Sequence, residues 1–182
     1  MSYKRWIFVA VGLFAIGMAI GLAMPTDVAD FLAEDLATLE ELGIIFSPFQ
    51  ISTAIFIFLK NVSALLLSFI FSPILCLTPI IALLANGLVI SFVSALVVKE
   101  ESLGFLLSAL LPHGIFELPA LIIGEAAALS FGAMAIVALI SKKKRNQLPP
   151  NLKRNLRYLM FAFVLLLPAA IIETYISPLF LT

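Results

Sequence analysis

Five apolar runs, each long enough to cross a lipid bilayer, constrain this chain more than any other feature. They are Trp6–Met24, Phe49–Phe71, Ile74–Val98, Leu103–Ile140 and Tyr158–Phe180. About 18 consecutive apolar residues already mark a membrane-spanning helix. Hydrophobic residues make up 63% of the chain and charged residues 12%, whereas a soluble domain carries about a quarter charged residues. So large an apolar excess does not fit into one buried core. The runs mix Leu, Ile, Ala and Phe without the alternation of a membrane β-barrel. The chain therefore reads as an all-α polytopic membrane helix bundle, with residues 1–182 forming a single integral membrane domain.

Lys4 and Arg5 precede the first run, as they would in a signal peptide. The run itself exceeds the 7–15 residues of a signal h-region, so an uncleaved first span is expected. After Pro25 comes "TDVADFLAEDLATLEELG", closed by Gly43. Val28, Phe31, Leu32, Leu36 and Leu39 recur at helical spacing, with Asp27, Asp30, Glu34 and Glu41 on the opposite face. This pattern predicts an external amphipathic helix. Its acids and lack of bases oppose binding to anionic lipid, so it should cap the bundle or face a partner.

Orientation follows from the bases, because cytoplasmic loops collect Lys and Arg. The N-terminus and the Lys142–Arg157 loop should both be cytoplasmic, which requires an even number of crossings between them. The first three runs supply three crossings, so Leu103–Ile140 must supply an odd number. One crossing needs about 20 residues, and Ala120–Ile140 is enough. The remaining Leu103–Leu111 is too short to cross. It reads as a re-entrant half-helix dipping in from outside, with its break at Pro112 and Gly114 and with Pro119 in the first turn of the true span. Broken backbone at membrane depth must be buried in protein or line a cavity. The expected architecture is five transmembrane helices, one re-entrant half-helix and one external amphipathic helix. The C-terminus lies outside a multi-pass protein of the cell membrane.

Five ionisable residues fall within the apolar runs: Lys60, His113, Glu117, Glu125 and Glu173. A charge at the bilayer centre costs about 2.5–3.5 kcal/mol even on the lenient insertion scale, so such groups face the interior and find partners. His113 and Glu117 are four apart, and Glu125 is eight beyond Glu117, on roughly the same helix face. Lys60 is the natural counter-ion for a glutamate, with Asn61 and Asn86 as further hydrogen-bonding groups. This buried polar core admits three readings. It can hold helices together, carry protons or a cation, or bind a divalent metal through His113, Glu117 and Glu125. The spacing matches no named metal signature, and no H-E-x-x-H is present. Any cofactor stays open. Ser108 near His113 is thin support for a hydrolase.

Other features have plainer roles. Gly124, Ala128 and Gly132 step by four and offer a close-packing surface. Cys76, the single cysteine, forms no internal disulfide. Trp6, Tyr158 and Tyr175 suit interfacial anchors. The basic loop sets topology and can also meet anionic lipid headgroups.

The stretches "FLKNVSALLLSF", "ANGLVIS" and "LPHGIFELPALIIGEAAALSFG" resemble the stage II sporulation protein M family, a membrane family of bacteria and archaea. The resemblance covers about Phe49 to Gly132. It places Asn61, Asn86, Gly87, Pro112, His113, Gly114, Glu117, Pro119 and Ala120 on motif positions. The chain departs from the expected glycines at Phe71-Ser72 and at Ser91. The resemblance implies a membrane scaffold, which in spore formers works with cell-wall hydrolases during engulfment.

Together these features predict a non-enzymatic membrane scaffold or assembly component, embedded in the lipid bilayer and joined to a homodimer mate or another membrane protein. Nucleic acid is not an expected partner. The alternatives are a small transporter or channel for protons or a cation through the same polar core, and a metal-dependent membrane enzyme.

Overall fold

The structure, a computed structural model, describes residues 3–25 and 48–180. The expected acidic helix after Pro25 lies outside the described residues. Five long helices are present: α1 (Tyr3–Leu22), α2 (Ile51–Phe71), α3 (Leu77–Glu100), α4 (Leu103–Ile140) and α5 (Leu148–Tyr175). Each contains a segment long and apolar enough to cross a membrane.

The largest departure from expectation is in α4. Its backbone stays helical from Leu103 to Ile140, through both Pro112 and Pro119. The segment therefore does not double back at Pro112–Gly114, and the expected re-entrant half-helix is replaced by the first turns of one long helix. Each proline removes one backbone donor, which frees a carbonyl four residues earlier. Neighbouring helices and local adjustment let membrane helices tolerate such gaps. The prolines are seven apart, about two turns, so both freed carbonyls lie on one side and any bends add. At 1.5 Å per residue, α4 is about 57 Å long, well beyond the roughly 30 Å hydrocarbon core.

The second departure is at the basic loop. A 3₁₀ turn covers Lys142–Gln147, and α5 starts at Leu148, well before the expected Tyr158. Pro149 and Pro150 explain this early start, since the first helical turn has no use for their missing N–H groups. Asn151 and Asn155 turn inward while Lys153, Arg154 and Arg157 stay exposed.

The helix α4 forms the centre of the bundle and touches the other four. Every residue from Gly124 to Ser130 is buried. Along one side, Ala120, Ala127 and Ala128 pack against Leu65 and Phe69 of α2 and Leu159, Ala162 and Leu166 of α5. Along the other, Ala126 and Leu129 meet Ala10 of α1, Leu83 of α3 and Cys76. Small side chains suit this place. Lipid offers no hydrophobic drive for helix association, so close backbone approach and dispersion must hold the bundle.

Several glycines permit that approach, and Gly87 and Gly132 show how. A Cβ on Gly87 of α3 would strike the Phe14 carbonyl of α1, and one on Gly132 of α4 would strike the Ser72 carbonyl. Ser91 donates to the Met18 carbonyl at 2.8 Å, so the hydroxyl that replaces an expected glycine ties α3 to α1. Gly132 rests on the turn between α2 and α3, where Leu75 and Cys76 both adopt the left-handed conformation (φ 53° and 55°). That costs about 1–2 kcal/mol per non-glycine residue. Ser72, fully buried, donates to the Phe69 carbonyl at 2.8 Å and helps hold the turn.

Pair order gives the helix directions. Phe14 meets Gly87 and Met18 meets Ser91, so α1 and α3 run parallel. Asn61 meets Glu117 and Ser68 meets Glu125, so α2 and α4 also run parallel. This alternation agrees with α4 crossing once.

Candidate functional site

Five of the polar residues singled out in the sequence face one cavity of about 220 Å³ between α2, α3 and α4. Asn61 comes from α2, Asn86 from α3, and His113, Glu117 and Glu125 from α4. Gly114, Leu118 and Leu121 fill the α4 wall between them. The i, i+4, i+12 spacing of His113, Glu117 and Glu125 puts all three on one helix face, as the sequence predicts.

Each group has a defined partner. Asn61 Nδ2 donates to Glu117 Oε1 at 3.2 Å. The other Glu117 oxygen, Oε2, lies 4.0 Å from His113 Nε2. The far ring nitrogen, His113 Nδ1, shares a hydrogen bond with Ser177 Oγ at 3.2 Å, and the imidazole tautomer decides which atom carries the proton. A chain of contacts thus runs from the C-terminal turn through α4 to α2. Deeper in the bundle, Ser68 Oγ donates to Glu125 Oε2 at 2.5 Å, and Glu125 is 1% exposed. Thr78 caps this end by donating to the Ser68 carbonyl at 3.1 Å. Asn86 Nδ2 bonds locally to the Ala82 carbonyl at 2.8 Å and remains exposed.

Lys60 differs from the sequence reading. It is exposed on α2 and is absent from the cavity wall. Glu173, the remaining acid of the apolar runs, lies near the end of α5. Asn61, one position along and therefore turned by about 100°, occupies the inward place beside Glu117.

The three-residue metal site is not assembled. Among the described residues, no group of three His, Cys, Asp or Glu side chains comes together to hold a metal ion. The reason is axial distance: eight residues of helix separate Glu117 from Glu125 by about 12 Å. Pro112 and Pro119 flank the His113–Glu117 turn without breaking it. Chemically, the site can donate and accept hydrogen bonds within an otherwise apolar wall.

Ser68 and Ser177 were not legible as site residues from single positions. For Ser68 a signal existed in the spacing. It lies seven after Asn61 on α2, two turns on, and Glu125 lies eight after Glu117 on α4. Two parallel helices with polar residues two turns apart can pair twice. Ser177 carries no such signal, because a turn beyond α5 places it.

A family model described as stage II sporulation protein M matches residues 10–178. The chain belongs to the stage II sporulation protein M family. An uncharacterised protein of Methanocaldococcus jannaschii is 29% identical over 103 residues, which is 56% of this chain and 58% of that relative. This stage II sporulation protein M family chain thus spans less than two thirds of the curated relative it matches. No solved structure matches it.

Proposed function

We propose that this chain is an assembly component of the cell membrane, whose polar cleft receives a polar group from a neighbouring membrane helix, either a second copy or another integral protein. The exposure of Lys60 and Asn86 supports this reading. Both stand near the middle of apolar helices, on α2 and α3, and both are exposed in the isolated bundle, Lys60 outside the cleft and Asn86 on its wall. Acyl chains cannot hydrogen-bond, and a charge at that depth costs about 2.5–3.5 kcal/mol. A protein partner lowers that cost by supplying the missing hydrogen bonds. In this reading the N-terminus and the basic segment Lys142–Arg157 are cytoplasmic, the C-terminus is outside, and the acidic segment 26–43 faces the partner from outside.

The test is the assembly state in mild detergent, read by light scattering on a sizing column. Wild type is expected to carry more than one polypeptide per particle. Lys60→Leu combined with Asn86→Leu should yield a folded single chain. A monomeric wild type, or unchanged assembly in the double variant, would overturn the reading.

A second reading is a proton or cation pathway. It is favoured by one feature, the shared cavity onto which both Glu117 and Glu125 open. Proteoliposome flux that equals empty vesicles would remove it. Flux lost in both Glu117→Gln and Glu125→Gln would support it.

A further inference from the structure

A second and larger cavity, of about 670 Å³, lies at the opposite end of α4, away from the polar cleft. It sits between the start of α1, the last turns of α4 and the start of α5. Its wall is mostly apolar, with Trp6 and Met134 as the large side chains. Lys144 and Arg154 line it as well, and both are exposed, so they stand at its mouth. Two polar groups sit further in. Asn151 is 8% exposed, and its Oδ1 is already taken by Asn155 Nδ2 at 2.8 Å, so its NH₂ is the group it can present. Ser130 is 2% exposed, and its hydroxyl has no hydrogen-bond partner among the described residues.

The Ser130 hydroxyl decides what the cavity takes. A helical serine normally satisfies itself by bonding the carbonyl four residues back. Ser130 does not, and a buried donor left unmade is costly. The cavity therefore offers an ordered set of groups: two cations at the mouth, two hydrogen-bond donors below them, and an apolar wall. A phospholipid with a net negative headgroup presents the complementary set, namely phosphate, ester carbonyls and acyl chains. A zwitterionic lipid carries an extra ammonium that would face Lys144 and Arg154. Free phosphate fits the cations alone and leaves the apolar wall and Ser130 without a partner.

We infer that this cavity is a binding site for one anionic phospholipid, with its phosphate between Lys144 and Arg154 and its ester region at Asn151 and Ser130. The site is independent of the polar cleft and of the assembly role proposed for it.

Trp6 is the single tryptophan of the chain, so its fluorescence reports on this cavity. The full chain is reconstituted with phosphatidylcholine, and dibrominated phosphatidylglycerol or dibrominated phosphatidylcholine is added at equal mole fraction. A quencher that occupies the site contacts Trp6. The anionic lipid is expected to compete at least about fivefold better than the zwitterionic one, the scale of one surface cation on an anionic lipid. Lys144→Gln with Arg154→Gln should bring that ratio to about one, the value for unselective lipid contact. Ala133→Phe, which fills the wall and leaves both cations in place, should also bring it to about one. Circular dichroism and sizing on each variant confirm the fold before quenching is read. A ratio near one in wild type, or a preference that persists in both folded variants, would overturn the site. Loss of the preference on adding millimolar inorganic phosphate at fixed ionic strength would also overturn it, in favour of a simple anion site.

Discussion

The amide of Asn61 on α2 donates to the carboxylate of Glu117 on α4 at 3.2 Å, and two turns deeper the same two helices meet again where Ser68 donates to Glu125. These two bonds fix the register of α2 against the central helix. They also account for the clustering of polar residues in an otherwise apolar bundle. Interhelical hydrogen bonds in membranes are modest in energy, so their value lies as much in register as in stability.

The Asn61–Glu117 bond can be isolated by a double-variant cycle. Asn61→Leu and Glu117→Leu, singly and together, are unfolded reversibly in mixed micelles. A coupling energy of about 0.6–1.7 kcal/mol is expected, the range for such bonds in membrane proteins. Strict additivity would show that the pair does not interact.

At Glu125 the expectation turns on isosteres. Glu125→Gln keeps an oxygen to accept from Ser68 and should leave the folded yield close to wild type. Glu125→Lys places an ammonium against the Ser68 donor in a site that is 1% exposed, and should abolish the folded species. The cost of an uncompensated buried charge justifies the contrast. Equal monodispersity of the two variants in detergent would count against this geometry.

Backbone approach between α1 and α3 gives a third expectation. Gly87→Val must push α3 away from the Phe14 carbonyl, because backbone cannot yield as a flexible side chain can. Overpacking of this kind costs about 1–3 kcal/mol, and the lost Ser91–Met18 bond adds to it. Gly12 has open space around it, so Gly12→Ala should be neutral or stabilising by up to about 1 kcal/mol through helix propensity. Thermal melts in detergent distinguish the two, and a Gly87→Val melt equal to wild type would contradict the packing.

Much of this arrangement was legible in the chain. Five apolar runs became five helices, because run length and bilayer thickness share one scale. The His113, Glu117 and Glu125 face was also readable, since helical spacing alone fixes it. The re-entrant break was misread at Pro112, where the rule for helices in water does not hold. A membrane helix has no competing water at the freed carbonyl and can continue through proline. The start of α5 was misread at Leu148 because seven nearby bases look like a loop, although Pro149 and Pro150 are strong starters of a first turn. Lys60 was misplaced because charge alone does not say which of two neighbouring positions points inward; Asn61 took that place. The Gly87 contact with α1 needed tertiary information, because a glycine in an apolar helix does not name the helix it meets.

The proposed orientation depends on α4 crossing once, because the cleft and the proposed lipid cavity lie toward opposite ends of this helix. Glu101→Cys and Lys143→Cys bracket this helix at exposed positions. In a Cys76→Ala background, each is treated with a membrane-impermeant maleimide in sealed right-side-out vesicles. Glu101→Cys is expected to react from outside, and Lys143→Cys to react only after the vesicles are opened. Reaction of both sites from the same side would contradict a single crossing.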